Sequence, residues 1–159
     1  MDKIRGKRRS RWLSLWRRGE RGSALVELAL TVPMLGVLLV GASEFAILEY
    51  DSIEVNNAAR AGVAYGSQSS STAADIAGME SAATNDGENV AGIQATAFEF
   101  YSCSSTPSAQ KSAPPSCTTG DHVLNYVQVN TTATVNPTIA VPGLPATYTL
   151  SGVAVMRVQ

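Results

Sequence analysis

The sixteen positions from Leu28 to Ser43 contain no ionisable side chain, and they lie between a strongly basic start and an acidic remainder. Nine of the twelve Lys and Arg residues precede Gly22: Lys3, Arg5, Lys7, Arg8, Arg9, Arg11, Arg17, Arg18 and Arg21. The wider segment Ser23 to Leu48 has only Glu27 and Glu44 as charges, and its 26 residues, as a helix rising ~1.5 Å each, exceed a hydrocarbon core roughly 30 Å thick. A helix in a soluble core keeps a polar face, and this one has none, so it reads as a membrane span. The positive-inside bias then makes residues 1–22 a basic cytoplasmic leader, with everything beyond the span outside.

Pro33 is compatible with that helix, because a proline bends the rod and frees the carbonyl near position 29, which neighbouring groups in a membrane can satisfy. A cleaved secretory signal fits less well. The apolar run is longer than a signal core of about 7–15 residues, and EFAILEYDSIEVNNAARAG continues it as helix without a small-residue cleavage site. Trp12 and Trp16 among the arginines suit a membrane interface, and nucleic acid is not an expected partner. Glu27 is the costly residue. A carboxylate deep in lipid is disfavoured by about 2.5–3.5 kcal/mol on the mildest scale, unless it is paired or sits near the cytoplasmic headgroups.

The stretch RGSALVELALTVPMLGVLLVGASEFAILEYDSIEVNNAARAGVAYG resembles the TadE-like family, the pseudopilins or minor pilins of the tight-adherence (Flp-type) pilus systems of bacteria. The likeness rests on a basic leader ending in glycine, a glutamate at the fifth position after it, and a proline within the apolar run. It also rests on an N-A-A-R-x-G-x-x-Y element, here Asn57-Ala58-Ala59-Arg60-Ala61-Gly62 with Tyr65. The closing SGVAVMRVQ, with its late Arg157, is similar to the family's last strand. The resemblance implies cleavage between Gly22 and Ser23 by an aspartyl prepilin peptidase at the inner membrane. Glycine has no Cβ to obstruct a protease, and its permissive dihedrals let the chain leave helical geometry there. The cut would expose an α-amino group four residues before Glu27, a ready counter-ion that could also set register between subunits. Residues 23–159 carry three basic and eleven acidic residues, a net of −8, whereas the whole chain is at −1. Leu28 stands where the major pilins commonly have tyrosine, and the chain is longer than those subunits, so a main filament subunit is disfavoured.

Past the span, the domain reading is a helix extension over 49–66 and an exterior region over 67–159. Phe45, Leu48, Val55, Ala59 and Gly62 form a narrow apolar stripe interrupted at Ser52. Ala58, Gly62 and Gly66, four apart, make one side nearly bare for helix packing, against another subunit or against the protein's own sheet. Arg60 and Tyr65 read as structural contacts. SQSSSTA (67–73) reads as a polar break, Ala74–Ala83 as a short helix, and Asn85-Asp86-Gly87 as a turn. Ile93–Tyr101, Val123–Val135 and Tyr148–Val158 read as strands, with Pro137, Pro142, Gly143 and Pro145 punctuating the last gap. The expected fold class is α+β: a long N-terminal membrane-spanning helix continuing into a small exterior domain with an antiparallel sheet of about three strands.

Cys103 and Cys117 flank the loop SSTPSAQKSAPPS, and outside the cytoplasm an isolated pair defaults to a disulfide. Two cysteines and the single His122 are too few for zinc, and a calcium site at Asp86 and Glu88 lacks a ligand ladder. Asn130-Thr131-Thr132 matches a glycosylation sequon, a signal common by chance. Asp75, Glu80, Asp86, Glu88, Glu99 and Asp121 read as a solvated surface. No cofactor is expected, and no nucleophile elbow, phosphate loop or HExxH motif is present, so an enzyme is not expected. The expected function is a structural subunit whose partners are the inner membrane, the prepilin peptidase, other pilins and minor pilins, and the pilus assembly platform. The alternative is a membrane-tethered exterior binding or adhesion module that never enters a filament.

Overall fold

The structure, a computed structural model, describes residues 19–139 and 145–159. The basic leader as far as residue 18, with Trp12 and Trp16, lies outside the described residues, as do Pro142 and Gly143. One helix, α1, runs Gly19–Gly66 with Pro33 inside it. It is followed by a one-turn helix α2 (Ser70–Ala73), a helix α3 (Ile76–Asp86), and strands β1 (Gln94–Cys103), β2 (Thr106–Lys111), β3 (Val123–Val135) and β4 (Tyr148–Arg157). By compactness the chain divides between Ser43 and Glu44.

In the first unit no residue from Gly22 to Ser43 is buried, and large apolar side chains lie open on every side, Leu30 at 74% and Leu39 at 71% exposure. The helix is long and apolar enough to cross a membrane. Two of its hydroxyls turn back onto their own backbone. Thr31 Oγ1 donates to the Glu27 carbonyl at 2.7 Å and Ser43 Oγ to the Val40 carbonyl at 2.8 Å, leaving the surface apolar.

The second unit is the α+β part. The described sheet has four antiparallel strands in the order β2-β1-β3-β4, one more than the three expected. The three expected segments are β1, β3 and β4. The addition is β2, inside the Ser/Pro/Ala-rich loop, where the chain folds back on β1 with Tyr101 opposite Lys111, Cys103 opposite Thr106 and an irregularity between. Composition argued for a loop there, yet an edge strand needs hydrogen bonds on one side only and so tolerates Pro107. The polar break contains α2, because Ser69 and Thr72 form a reciprocal capping box. The helix expected over 74–83 runs Ile76–Asp86, starting at its cap Asp75, and Gly87 N–H closes its end on the Ala83 carbonyl.

The alternation of β3 puts Val127, Val129, Thr131 and Ala133 on the buried face. With Val63, Met79, Ala83 and Val158 these valines form the main cluster, while Val55, Val90 and Ala133 form a second. The α1 stripe is buried at Val55, Ala59 and Gly62, whereas Phe45 is exposed. The bare row, left open between two partners by sequence, is covered by its own domain. A Cβ on Gly62 would meet the Met79 carbonyl at 2.9 Å, Val129 Cγ2 at 3.0 Å and Ala83 Cβ at 3.1 Å, and one on Gly66 would strike the Met79 side chain.

One close contact between helix and sheet was not legible in the sequence. Thr131 Oγ1, fully buried, donates to the Val55 carbonyl of α1 at 2.6 Å, and its cross-strand neighbour is Gly152. A Cβ on Gly152 would lie 2.6 Å from that carbonyl and 2.9 Å from Asn56 Cα, both helix backbone that cannot swing aside. Gly152→Ala must therefore push helix and sheet apart. The expected cost is roughly 1–3 kcal/mol, the usual range for overpacking, read as a lowered midpoint in thermal unfolding of the full chain in detergent. Gly66→Ala, opposed by a flexible methionine, should cost less.

Candidate functional site

Two groups of residues carry the functional expectations, one in each unit. In the first, Gly22, Ser23 and Glu27 are consecutive-turn neighbours on α1, with Ser23 and Glu27 at the i, i+4 spacing that puts both on one face. All three are exposed, and the space around Gly22 is open. Gly22 lies within the helix, not at the break expected there. A single glycine costs a helix only about 1 kcal/mol, less than neighbours on both sides recover by continuing it. A protease acting at this bond has to unwind the turn around it first.

In the second unit the N-A-A-R-x-G-x-x-Y element divides by helix face. Ala58 and Ala59 are fully buried and Gly62 is in the core contact, while Asn57 and Arg60 are exposed. Tyr65 is a structural contact: its hydroxyl donates to Asp75 Oδ2 at 2.7 Å. The other carboxylate oxygen, Oδ1, accepts the Gly78 N–H at 3.0 Å and so caps α3. These bonds lower the Asp75 pKa, the Tyr65 hydroxyl first, and the same bond raises that of Tyr65. Asp75 had read as solvated surface. The signal that could have found it is its position directly before the α3 apolar residues Ile76 and Met79.

Other acids of that group are also tied down. Glu80 accepts the Ala97 N–H at 3.1 Å, and Glu99 accepts from Asn125 Nδ2 at 2.6 Å. Glu44, the first residue of the second unit, accepts the backbone N–H groups of Thr138 at 3.2 Å and Ile139 at 2.8 Å. A helix residue thereby holds the start of the β3–β4 connection, a partnership 94 and 95 residues apart in sequence that no local pattern announces.

Cys103 and Cys117 are joined, with Cα atoms 5.7 Å apart. Closing a loop of about 15 residues stabilises by roughly 3 kcal/mol in the chain-entropy account. Asp121 braces the base of that loop, accepting from both Ser104 Oγ and Ser105 Oγ, from Ser105 N–H at 2.9 Å and from His122 N–H at 3.0 Å. Cys103, Cys117 and Asp121 also form the one grouping of potential metal ligands found among the described residues. Its two sulfurs are bonded to each other, so neither is the thiolate a metal requires.

The Ser104 and Ser105 hydroxyls, with smaller help from the backbone N–H groups, lower the Asp121 pKa from 3.8 to about 2. The folded state thus favours the charged form. That contribution is present above about pH 4 and is lost as the pH falls through about 2. The unfolding temperature of the full chain should therefore fall between pH 4 and pH 2, and Asp121→Asn should flatten that part of the profile.

The sequence model of one family, described as TadE-like protein, matches residues 22–64, roughly a quarter of the chain. No curated protein and no solved structure matches. The matched stretch opens on Gly22, takes in Glu27 and the whole apolar run, and ends within the Ala59–Tyr65 turns that dock on the sheet. Over residues 22–64 the chain is thus similar to the TadE-like family.

Proposed function

We propose that this protein is a structural, non-catalytic pseudopilin or minor pilin that acts in assembly of a tight-adherence (Flp-type) pilus. The TadE-like segment supports association with such a pilus system and with a membrane. In this reading α1 crosses the inner membrane once, the basic leader stays in the cytoplasm, and residues 44–159 lie on the far side. A prepilin peptidase removes residues 1–22. The mature chain then meets other pilins and minor pilins at the assembly platform.

The observation that carries the reading is Glu27 at the head of a helical stretch, Leu28 to Ser43, that has no charge at all, with no buried residue from Gly22 to Ser43. Lipid gives helices no apolar drive to associate, so close packing and polar pairing must supply it. A Ser23 α-amine released by cleavage, on a neighbouring subunit, would neutralise the Glu27 carboxylate and offset the desolvation of both groups. Glycine at position 22 serves the same scheme, since a bare backbone is what a peptidase reaches most easily once the turn is unwound.

Intact-mass measurement of the protein extracted from its native membrane is expected to give a chain beginning at Ser23. A chain that keeps residues 1–22 while functioning would favour the tethered binding module instead. Glu27→Gln is expected to leave membrane insertion and the exterior disulfide unchanged. It should reduce the protein's incorporation into assembled pili about tenfold or more, the factor given by loss of some 1.4 kcal/mol or more of pairing. Comparing immunoblots of sheared pili with those of the membrane fraction checks this, and normal piliation by the variant would sink the pairing role.

A further inference from the structure

We infer that the start of the β3–β4 connection, Pro137–Ile139, is a second membrane contact: held by Glu44, it rests in the outer headgroup layer. This rests on the reading that α1 crosses the bilayer. A span needs about 20 apolar residues, and counting from Ser23 that length is used up at about Ser43. Glu44 is then the first residue at headgroup depth, where a carboxylate is only partly hydrated. Two backbone N–H groups at 3.2 and 2.8 Å make up the deficit. Whatever Glu44 grips at hydrogen-bond distance is held at that same depth.

The surface at this level suits lipid better than water. Phe45 is 63% exposed, Ile47 49% and Ile139 45%. Two residues of helix turn the chain by about 200°, so Phe45 and Ile47 point to nearly opposite sides, and the apolar surface surrounds α1 instead of forming one face. A docked protein partner would cover one side. A bilayer covers all of them, and it also continues directly from the apolar run that ends at Ser43. The next charges outward, Glu49, Asp51 and Glu54, mark where the helix returns to water. Glu44 is in this sense a positioning residue: it places Ile139 at the interface and itself remains satisfied there.

The experiment uses the full chain with Trp12→Phe and Trp16→Phe, reconstituted in phosphatidylcholine–phosphatidylglycerol vesicles, with one tryptophan reporter at a time. Leu35→Trp reports the span, Val153→Trp the exposed sheet, and Ile139→Trp the proposed contact. Ile139→Trp should be quenched strongly by lipids brominated near the headgroup end of the acyl chain and weakly by lipids brominated near its methyl end. It should also be several-fold less accessible to aqueous iodide than Val153→Trp. Adding Glu44→Ala should abolish most of the lipid quenching and open the reporter to iodide. Glu44→Gln keeps the length and one accepting oxygen; it should give a partial loss, and it is the readout if the alanine variant unfolds. An Ile139→Trp reporter that behaves like Val153→Trp overturns the inference, as does lipid quenching indifferent to both Glu44 variants. Failure of the span itself would appear separately, as a Leu35→Trp reporter that the deeper bromines do not quench.

Discussion

One helix in this protein carries two kinds of surface. From Leu28 to Ser43 it has no ionisable side chain and no side chain buried by the chain itself, while from Val55 onward it buries one face against a sheet and keeps polar groups on the other. The same backbone hydrogen bonds serve both regimes, since an α-helix satisfies its own amides wherever it is placed. What changes is the source of stability. The second unit packs on a small core of its own, whereas the first has none and, in the proposed function, is stabilised by transfer of its apolar surface into lipid.

That core is built around close backbone approach more than around large side chains. Met79 and a group of valines supply most of its buried bulk, and the helix row facing it is Ala58, Ala59 and Gly62. Small residues let α1 come near enough for Thr131 to reach the Val55 carbonyl, and Gly152 removes the side chain that would hold the helix away. Such a contact has little tolerance. A single methyl group at Gly152 has nowhere to go, whereas many surface changes would pass unnoticed. The disulfide and the Asp121 brace do the corresponding work at the far end of the sheet, where β2 and its loop have little apolar surface to bury.

Five carboxylates of the second unit follow one pattern. Asp75 caps a helix, Asp121 ties a loop, Glu80 and Glu99 bond to the sheet, and Glu44 grips the β3–β4 connection. Each is matched to donors within its own domain. Glu27 is the acid for which the proposed function supplies a partner from another molecule. That contrast is why the pairing role is assigned to it and not to the acids of the exterior domain.

The long apolar helix, the strands β1, β3 and β4, the cysteine pair and the family resemblance were legible in the sequence, because each depends on a pattern carried by neighbouring residues: an uncharged run, alternation, a spacing, a short motif. The fourth strand was not, because its residues are poor strand formers that pair only once the loop has been turned back on β1. Nor were the partners of Asp75 and Asp121, which read as solvated surface, or of Glu44, which read as a charge within the apolar segment. Glu44 meets Thr138 and Ile139 across more than ninety residues, and Gly152 meets Val55 only when sheet and helix are stacked. Sequence determines which segments are helix, strand or membrane, since those preferences are local. Which backbone atoms then come within hydrogen-bond or van der Waals distance is decided by the fold, because both interactions vanish beyond a few ångströms and only tertiary packing brings distant residues that close.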